Sequence, residues 1–228
     1  MVTRADKLFE KFSLSRNGVI ALPITVSESS DGSISYSVYK KLMRKVSAFE
    51  KTYKDPFCED NADKLRAICE PLMKKHGYSI SGDPEILTEL EARVSPPRGK
   101  ADTIILKTCD EIAKYPADTT LWNLDVDDED TADVICAVIE NGHIAAYACV
   151  NDTRDADGYE ITVECAPQYR GRGFASSCAA ALTGYLISEA KASVVYYKCR
   201  SSNSASRRVA EKAGFTYTGR SMTFVYER

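Results

Sequence analysis

The stretch from Tyr159 to Ala190 constrains the fold more than any other. Residues 159–165 alternate apolar and polar side chains as a half-buried strand does, and Gly173 to Ala190 is a long alanine-rich segment of helical character. Between them lies Gln168-Tyr-Arg-Gly-Arg-Gly-Phe-Ala175. Two glycines one residue apart let the main chain approach a ligand with no Cβ in the way. The first turn of the following helix has N–H groups without intrahelical partners at the positive end of its dipole, so a phosphate there gains hydrogen bonds and charge together. Arg170 and Arg172 add positive charge. The stretch predicts a strand, a loop and a helix with an anion site at the helix entrance, suited to a pyrophosphate. It is not a Walker A loop, which ends in Gly-Lys-Ser/Thr, and it departs from GxGxxG because Ser176 stands where the third glycine belongs.

The same texture extends to both sides. Strands are expected at Thr103–Lys107, Val134–Glu140, His143–Val150, Val194–Arg200 and Met222–Glu227, with a further helix over Asn203–Ala213. Asn141-Gly142 is a two-residue hairpin signal between the second and third of these strands. The fold class is therefore α/β (α+β). The first hundred residues read differently, as a mainly helical region. Tyr39, Leu42, Val46, Phe49 and Tyr53 recur at threes and fours, as do Leu65, Ile68, Cys69, Leu72 and Met73. A third helix is expected to open at Asp83-Pro84, with proline in its first turn, and the polar stretch Ser27–Ser33 reads as a loop. Ser95-Pro-Pro-Arg-Gly-Lys100 cannot continue a helix and marks the expected boundary between residues 1–100 and an α/β domain over 101–228.

A net charge of −3 and the lack of a basic stripe argue against a dedicated nucleic-acid binder. The eight cysteines are scattered singly, without a CxxC, and there are only two histidines, so no metal site is expected. Several cysteines sit in apolar runs, as small buried hydrophobes do in a reducing compartment. The charged N-terminus does not read as a signal peptide and no apolar run reaches membrane-span length, so the expectation is a cytoplasmic protein that does not engage a membrane.

Gln168-x-x-Gly171-x-Gly173, preceded by an apolar strand and Pro167, resembles the acetyl-CoA-binding motif of the GNAT family of N-acetyltransferases, in which Q/R-x-x-G-x-G/A cradles the cofactor pyrophosphate. A second stretch is similar to theirs as well: Lys198-Cys-Arg-Ser-Ser-Asn203, then Ser206 and Val209-Ala-Glu-Lys-Ala-Gly-Phe215, in the order strand, asparagine, helix and a K-x-G-F ending. The resemblance covers the chain from about residue 101 onward and leaves the first hundred residues unexplained. It implies a GNAT fold, a mixed and mostly antiparallel twisted sheet flanked by helices, and direct transfer of an acetyl group from acetyl-CoA, consumed as a co-substrate, to an amine.

On this resemblance the cofactor lies in a gap where the fourth and fifth strands of the α/β half splay apart. It would contact Val163, Cys165, Gln168, Tyr169, Arg170, Gly171, Arg172, Gly173, Phe174, Ala175, Asn203 and Ser206. Asn203, directly before a helix, also fits an N-cap. The amine must lose a proton before it attacks. Glu164 and Glu160, on the strand face opposite Tyr159, Ile161 and Val163, are the candidate bases, Glu164 being nearer the splay. Two positions depart from the family pattern. Lys198 stands where ribosomal-protein acetyltransferases carry glutamate, and Ala210 stands where many members carry the tyrosine that protonates the CoA sulfur. Either Ser206, Tyr196, Tyr197 or Tyr217 donates instead, or the thiolate leaves unaided.

The acidic run Asp125–Asp130, beside the sole tryptophan Trp122, would attract a cationic acceptor such as a polyamine, an aminoglycoside or a lysine-bearing peptide. The N-terminal helices are expected to complete the acceptor side, and closing-strand exchange or sheet-edge pairing would allow a homodimer. Two readings compete with the transferase. One is a non-catalytic acyl-CoA sensor or interaction module, and the other is a helical partner-binding protein on an acetyltransferase-like scaffold.

Overall fold

The hairpin signal is realised: Asn141 and Gly142 both take positive φ, 51° and 80°, matching the right-handed twist of the strands they join. The computed structural model describes residues 2–4, 20–117, 121, 134–155 and 158–227. In chain order its elements are β1 (Val2–Arg4), β2 (Ile20–Ala21), β3 (Ile24–Ser29), β4 (Ile34–Val38), α1 (Met43–Thr52), α2 (Glu59–Lys75), β5 (Ser79–Ile80) and β6 (Glu85–Ala92). There follow β7 (Ile104–Leu106), α3 (Cys109–Ile112), β8 (Ile135–Glu140), β9 (His143–Asp155), β10 (Gly158–Cys165) and α4 (Phe174–Ser188). The chain closes with β11 (Val194–Arg200), α5 (Ser204–Lys212), β12 (Thr216–Thr223) and β13 (Tyr226–Glu227). Its contacts divide it into two units, one of Met1–Thr88, Arg200–Ser202 and Thr218–Arg228, the other of Glu89–Cys199 and Asn203–Tyr217. The proline-rich stretch 95–100 falls inside the second unit.

In the first unit, β1, β4, β3 and β12 lie side by side, β3 antiparallel to both β4 and β12. The apolar faces of α1 and α2 supply Val46, Phe49, Leu65, Cys69 and Met73 to a core with Ile24, Val26, Val38, Met222 and Phe224. Each fully buried Leu, Ile or Phe side chain there contributes about 1.5–3 kcal/mol. The expected loop at Ser27–Ser33 is shorter than its polarity suggests. Ser27, Glu28 and Ser29 belong to β3 and face Ser221, Arg220 and Gly219 across the ladder, where backbone pairing and the Glu28–Arg220 ion pair stand in for apolar side chains.

The helix expected from Asp83-Pro84 is a strand, β6, in which Thr88, Leu90 and Ala92 are buried in alternation. Ile86, Leu87 and Leu90 fit helical spacing as well, and the ambiguity is resolved by packing, which sets a period of two. With β3, β4 and β6 the region before residue 100 is mixed rather than mainly helical.

In the second unit the sheet order is β6, β11, β10, β9, β8, β7. Strands β7 to β10 are antiparallel neighbours, and β10 and β11 are parallel. Helix α4 lays Cys178, Ala179, Leu182 and Leu186 on a core shared with Cys136, Val138, Ala146, Ala148 and Ile161 from the strands, and with Ala210 and Phe215. Ile135, Ala137, Tyr147 and Cys149 form a separate core with Leu106 and Ile112. The closing strand begins earlier than expected, at Thr216, and breaks at Phe224 and Val225 before β13. No helix of the described residues is long and apolar enough to cross a membrane.

Candidate active site

The centre of the second unit is the place where two parallel strands part. The ladder between β10 and β11 runs from Gly158↔Val194 to Ile161↔Tyr197, whereas β10 continues to Cys165 and β11 to Arg200. Strand β10 stays paired with β9 as far as Cys165↔Ala146, so β11 is the strand that departs. The main-chain edge of β10 beyond Ile161 is thereby released from the sheet on that side. Backbone polar groups at such an edge require other partners, which a ligand can supply.

Directly after β10 the chain makes a 3₁₀ turn over Pro167–Tyr169, passes Arg170 in an extended conformation, and enters α4 through two left-handed residues, Gly171 at φ 82° and Gly173 at φ 85°. Gly173 is the N-cap of α4, and no side chain caps the helix. A Cβ at Gly171 would meet nothing within 4 Å, and one at Gly173 only Ser176 Oγ at 3.9 Å. Glycine is thus required by the backbone turn and by the open approach to it, not by crowding from the protein. An uncapped first turn reached through unobstructed main chain fits a pyrophosphate. Arg170 ties this loop back to the strand, its Nε donating to Cys165 O at 3.2 Å. Arg172 instead lies over the rings of Tyr169 and Phe174, 5.4 and 5.9 Å from their centroids.

The loop and the parted strands open onto one cavity of about 680 Å³. Its wall includes Val163, Glu164 and Cys165 of β10, Tyr169, Arg170, Gly171 and Gly173 of the loop, Phe174, Ala175 and Ser176 of α4, Tyr197 of β11, and Asn203, Ser206, Arg208, Val209 and Lys212 at α5. Helix α5 is aimed by its cap: Asn203 Oδ1 accepts from Ser206 N–H at 3.0 Å. A model of the acetyltransferase (GNAT) domain matches residues 64–216. The chain belongs to the GNAT acetyltransferase family.

This GNAT protein is similar in structure to a GNAT-family acetyltransferase from Novosphingobium aromaticivorans, with TM-score 0.50 and 20% identity over 67% of this chain and 68% of that one. An acetyltransferase of the family from Bacillus anthracis gives 0.34 at 21% identity over 41% of this chain and 63% of that one. One from Colwellia psychrerythraea gives 0.48 at 14% identity over 89% and 81%. No curated protein matches the sequence. The family match begins at residue 64, within α2, and so takes in residues that the resemblance read from motifs left out.

Of the residues expected around the cofactor, Val163, Cys165, Tyr169, Arg170, Gly171, Gly173, Phe174, Ala175, Asn203 and Ser206 line the cavity of this GNAT protein, while Gln168 and Arg172 do not. Of the two carboxylates, Glu164 lines it and Glu160 does not. Glu164 lies opposite Tyr147 in the ladder, and its charge adds to the burial that pushes the Cys149 thiol up to about 12. Burial likewise raises the Cys165 thiol, against the opposing charge of Arg170. Among the four proton donors considered, Ser206 and Tyr197 line the cavity; Tyr196 does not, and Tyr217, at 43% exposed, does not either. Ala210 is fully buried in the core between α4 and α5, and Lys198 pairs with Glu89 at 3.4 Å. Trp122 and the acidic run Asp125–Asp130 lie outside the described residues.

Arg208 escaped the motif reading, and Lys212 entered it only as the lysine of the K-x-G-F ending. Their signal was present as spacing: Ala205, Arg208, Val209 and Lys212 recur at threes and fours from the Asn203 cap and so share one face of α5.

Proposed function

We propose that this protein transfers an acetyl group from acetyl-CoA to a primary amine of a small molecule or peptide, without a covalent enzyme intermediate. One observation carries the reading: a single cavity joins the glycine turn at the start of α4, the parted edges of β10 and β11, and a carboxylate, Glu164. When bound, acetyl-CoA supplies an acyl carbon activated as a thioester. Gly171, Gly173 and the uncapped turn of α4 hold the pyrophosphate, with Arg170, Arg208 and Lys212 as the cations of the cavity wall. The released edge of β10 orients the pantetheine arm. Glu164 takes the proton that the amine loses on attack.

The test is amine-dependent release of free CoA from acetyl-CoA across a panel of polyamines, aminoglycosides and lysine peptides. Turnover with any of them supports transfer. Melting stabilised by acetyl-CoA with no turnover on the panel would favour the acyl-CoA sensor, a reading that the burial of Ala210 in place of a tyrosine motivates.

The two cations of α5 have a measurable consequence. Both are exposed, so their pull on the cofactor's phosphates is screened by salt. Replacing Arg208 and Lys212 together by glutamine weakens acetyl-CoA binding roughly tenfold at low ionic strength and less at high ionic strength. Calorimetric titration at two salt concentrations reads both effects, and an unchanged affinity at low salt would remove the pair from the cofactor site.

A further inference from the structure

Helix α1 of the first unit gathers cations at the positive end of its own dipole. Residues 40–54 hold six of them, Lys40, Lys41, Arg44, Lys45, Lys51 and Lys54, against one carboxylate, the half-buried Glu50, in a chain whose net charge is −3. All six cations are exposed. In α1 and the 3₁₀ turn Lys40–Leu42 that leads into it, Leu42, Val46 and Phe49 face the core, and spacing by threes and fours puts the lysines and Arg44 together on the opposite face. The sequence shows no long basic run because these inward positions interrupt it. Four of the cations lie at the helix N-terminus, where positive charge is unfavourable, with no acidic residue in the first turn and no side-chain cap to offset them. Helix α2 in the same unit has the ordinary arrangement, Glu59 and Asp60 in its first turn and Lys74 and Lys75 in its last. Helix α1 therefore forms through its buried apolar stripe and in spite of its charges. Among the described residues Lys41, Arg44, Lys45, Lys51 and Lys54 form no ion pair.

We infer that this face of α1 docks the phosphate backbone of a nucleic-acid strand without reading its bases. A row of cations along a straight helix meets a row of phosphates: Arg44 and Lys51 stand two turns apart, about 11 Å along the axis, with the small Ala48 exposed between them, so a strand can lie close. Each phosphate neutralised releases condensed counterions, and that release drives association. The face exposes no aromatic side chain on which a base could stack, so charge and spacing are all it recognises. An anionic membrane is the weaker match, because stable attachment takes an apolar or lipid signal beside a basic patch, and the apolar side of α1 is occupied by the core. An acidic peptide offers the same sign of charge but no condensed counterions to release. The docking goes beyond the acetyl-transfer reading and does not depend on it.

The test is fluorescence anisotropy of two labelled single-stranded RNAs of unrelated sequence, titrated with the full chain over a range of salt. Both RNAs bind alike, and the logarithm of the affinity falls against the logarithm of salt with a slope of about −3, as expected for about four phosphates neutralised on a single strand. Replacing Lys41, Arg44, Lys45 and Lys51 together by glutamine weakens binding at least about tenfold at about 50 mM salt and brings the slope close to zero. Replacing Lys74, Lys75, Lys100 and Lys114, an equal loss of charge elsewhere on the surface, changes both little. Lys41→Gln, Lys45→Gln and Lys51→Gln taken singly each flatten the slope by about 0.7, which a folding defect would not do. A wild type that leaves both RNAs free at about 50 mM salt, or a fourfold variant with the wild-type slope, would overturn the inference. Polyglutamate that displaces the label as well as unlabelled RNA of equal charge would overturn it in favour of an acidic protein partner. Binding to phosphatidylserine vesicles with none to RNA would overturn it in favour of a membrane.

Discussion

Acetyl-CoA at a hundredfold excess over its Kd raises the melting temperature of the wild type by roughly 5–11 °C, and the Gly171→Asp, Gly173→Asp double variant loses that shift. The size follows from linkage: a ligand that binds only the folded state at that excess stabilises it by about 2.7 kcal/mol, and in a chain of this length each kcal/mol moves Tm by about 2–4 °C. The loss has three causes, and the charge can be separated from the other two. A side chain at either position would project into open space where the ligand approaches, since a Cβ at Gly171 meets nothing within 4 Å. A carboxylate there also repels a pyrophosphate inside the same turn. Backbone strain is a further contribution, because both residues have φ above 80°, and asparagine tolerates that region better than most residues. The Asn, Asn variant therefore keeps the backbone more nearly intact without the charge, and it retains part of the shift where the Asp, Asp variant retains none. A double aspartate variant that still melts later with acetyl-CoA would show that the cofactor does not sit on this turn.

Glu164→Gln lowers amine-dependent turnover at neutral pH by about a hundred- to a thousandfold, while the acetyl-CoA melting shift stays. Glutamine keeps the size and much of the polarity of the side chain but cannot accept the amine proton. The variant must draw on the small fraction of acceptor that is already neutral. For an amine with a pKa near that of lysine, about 10.4, this fraction grows tenfold with each unit by which the pH rises toward the pKa. Turnover of the variant consequently climbs with pH, and the gap to the wild type narrows in alkali. A variant that turns over at the wild-type rate at neutral pH would show that the proton goes elsewhere. An equal loss at every pH would point to lost positioning of the acceptor.

Local features were legible in the sequence because short-range physics dictates them. Positive φ at residues 171 and 173 needs glycine, a mirror-image hairpin turn favours Asn141-Gly142, and a helix that opens after Asn203 is capped by it. Each depends on a few adjacent residues, and each stands where the motif reading placed it. The α/β class and the family likewise followed from the order of such local signals. Strand β6 was misread because its eight residues satisfy two periods, and only its neighbours in the sheet select one. The polar end of β3 was misread because its pairing rests on main-chain bonds and the partnership of Glu28 with Arg220, which is 192 residues away.

The sequence by itself determined the glycine turn and the helix it opens. Both are set by backbone conformations that single residues permit or forbid. Tertiary structure alone decided where β10 and β11 stop pairing, that Glu164 rather than Glu160 borders the cavity, and that Tyr197 and Ser206 share a hydrogen bond there. A strand pattern repeats every second residue and so treats Glu160 and Glu164 alike. What distinguishes them is the point at which the neighbouring strand leaves, and that point is fixed by packing between segments remote in the chain.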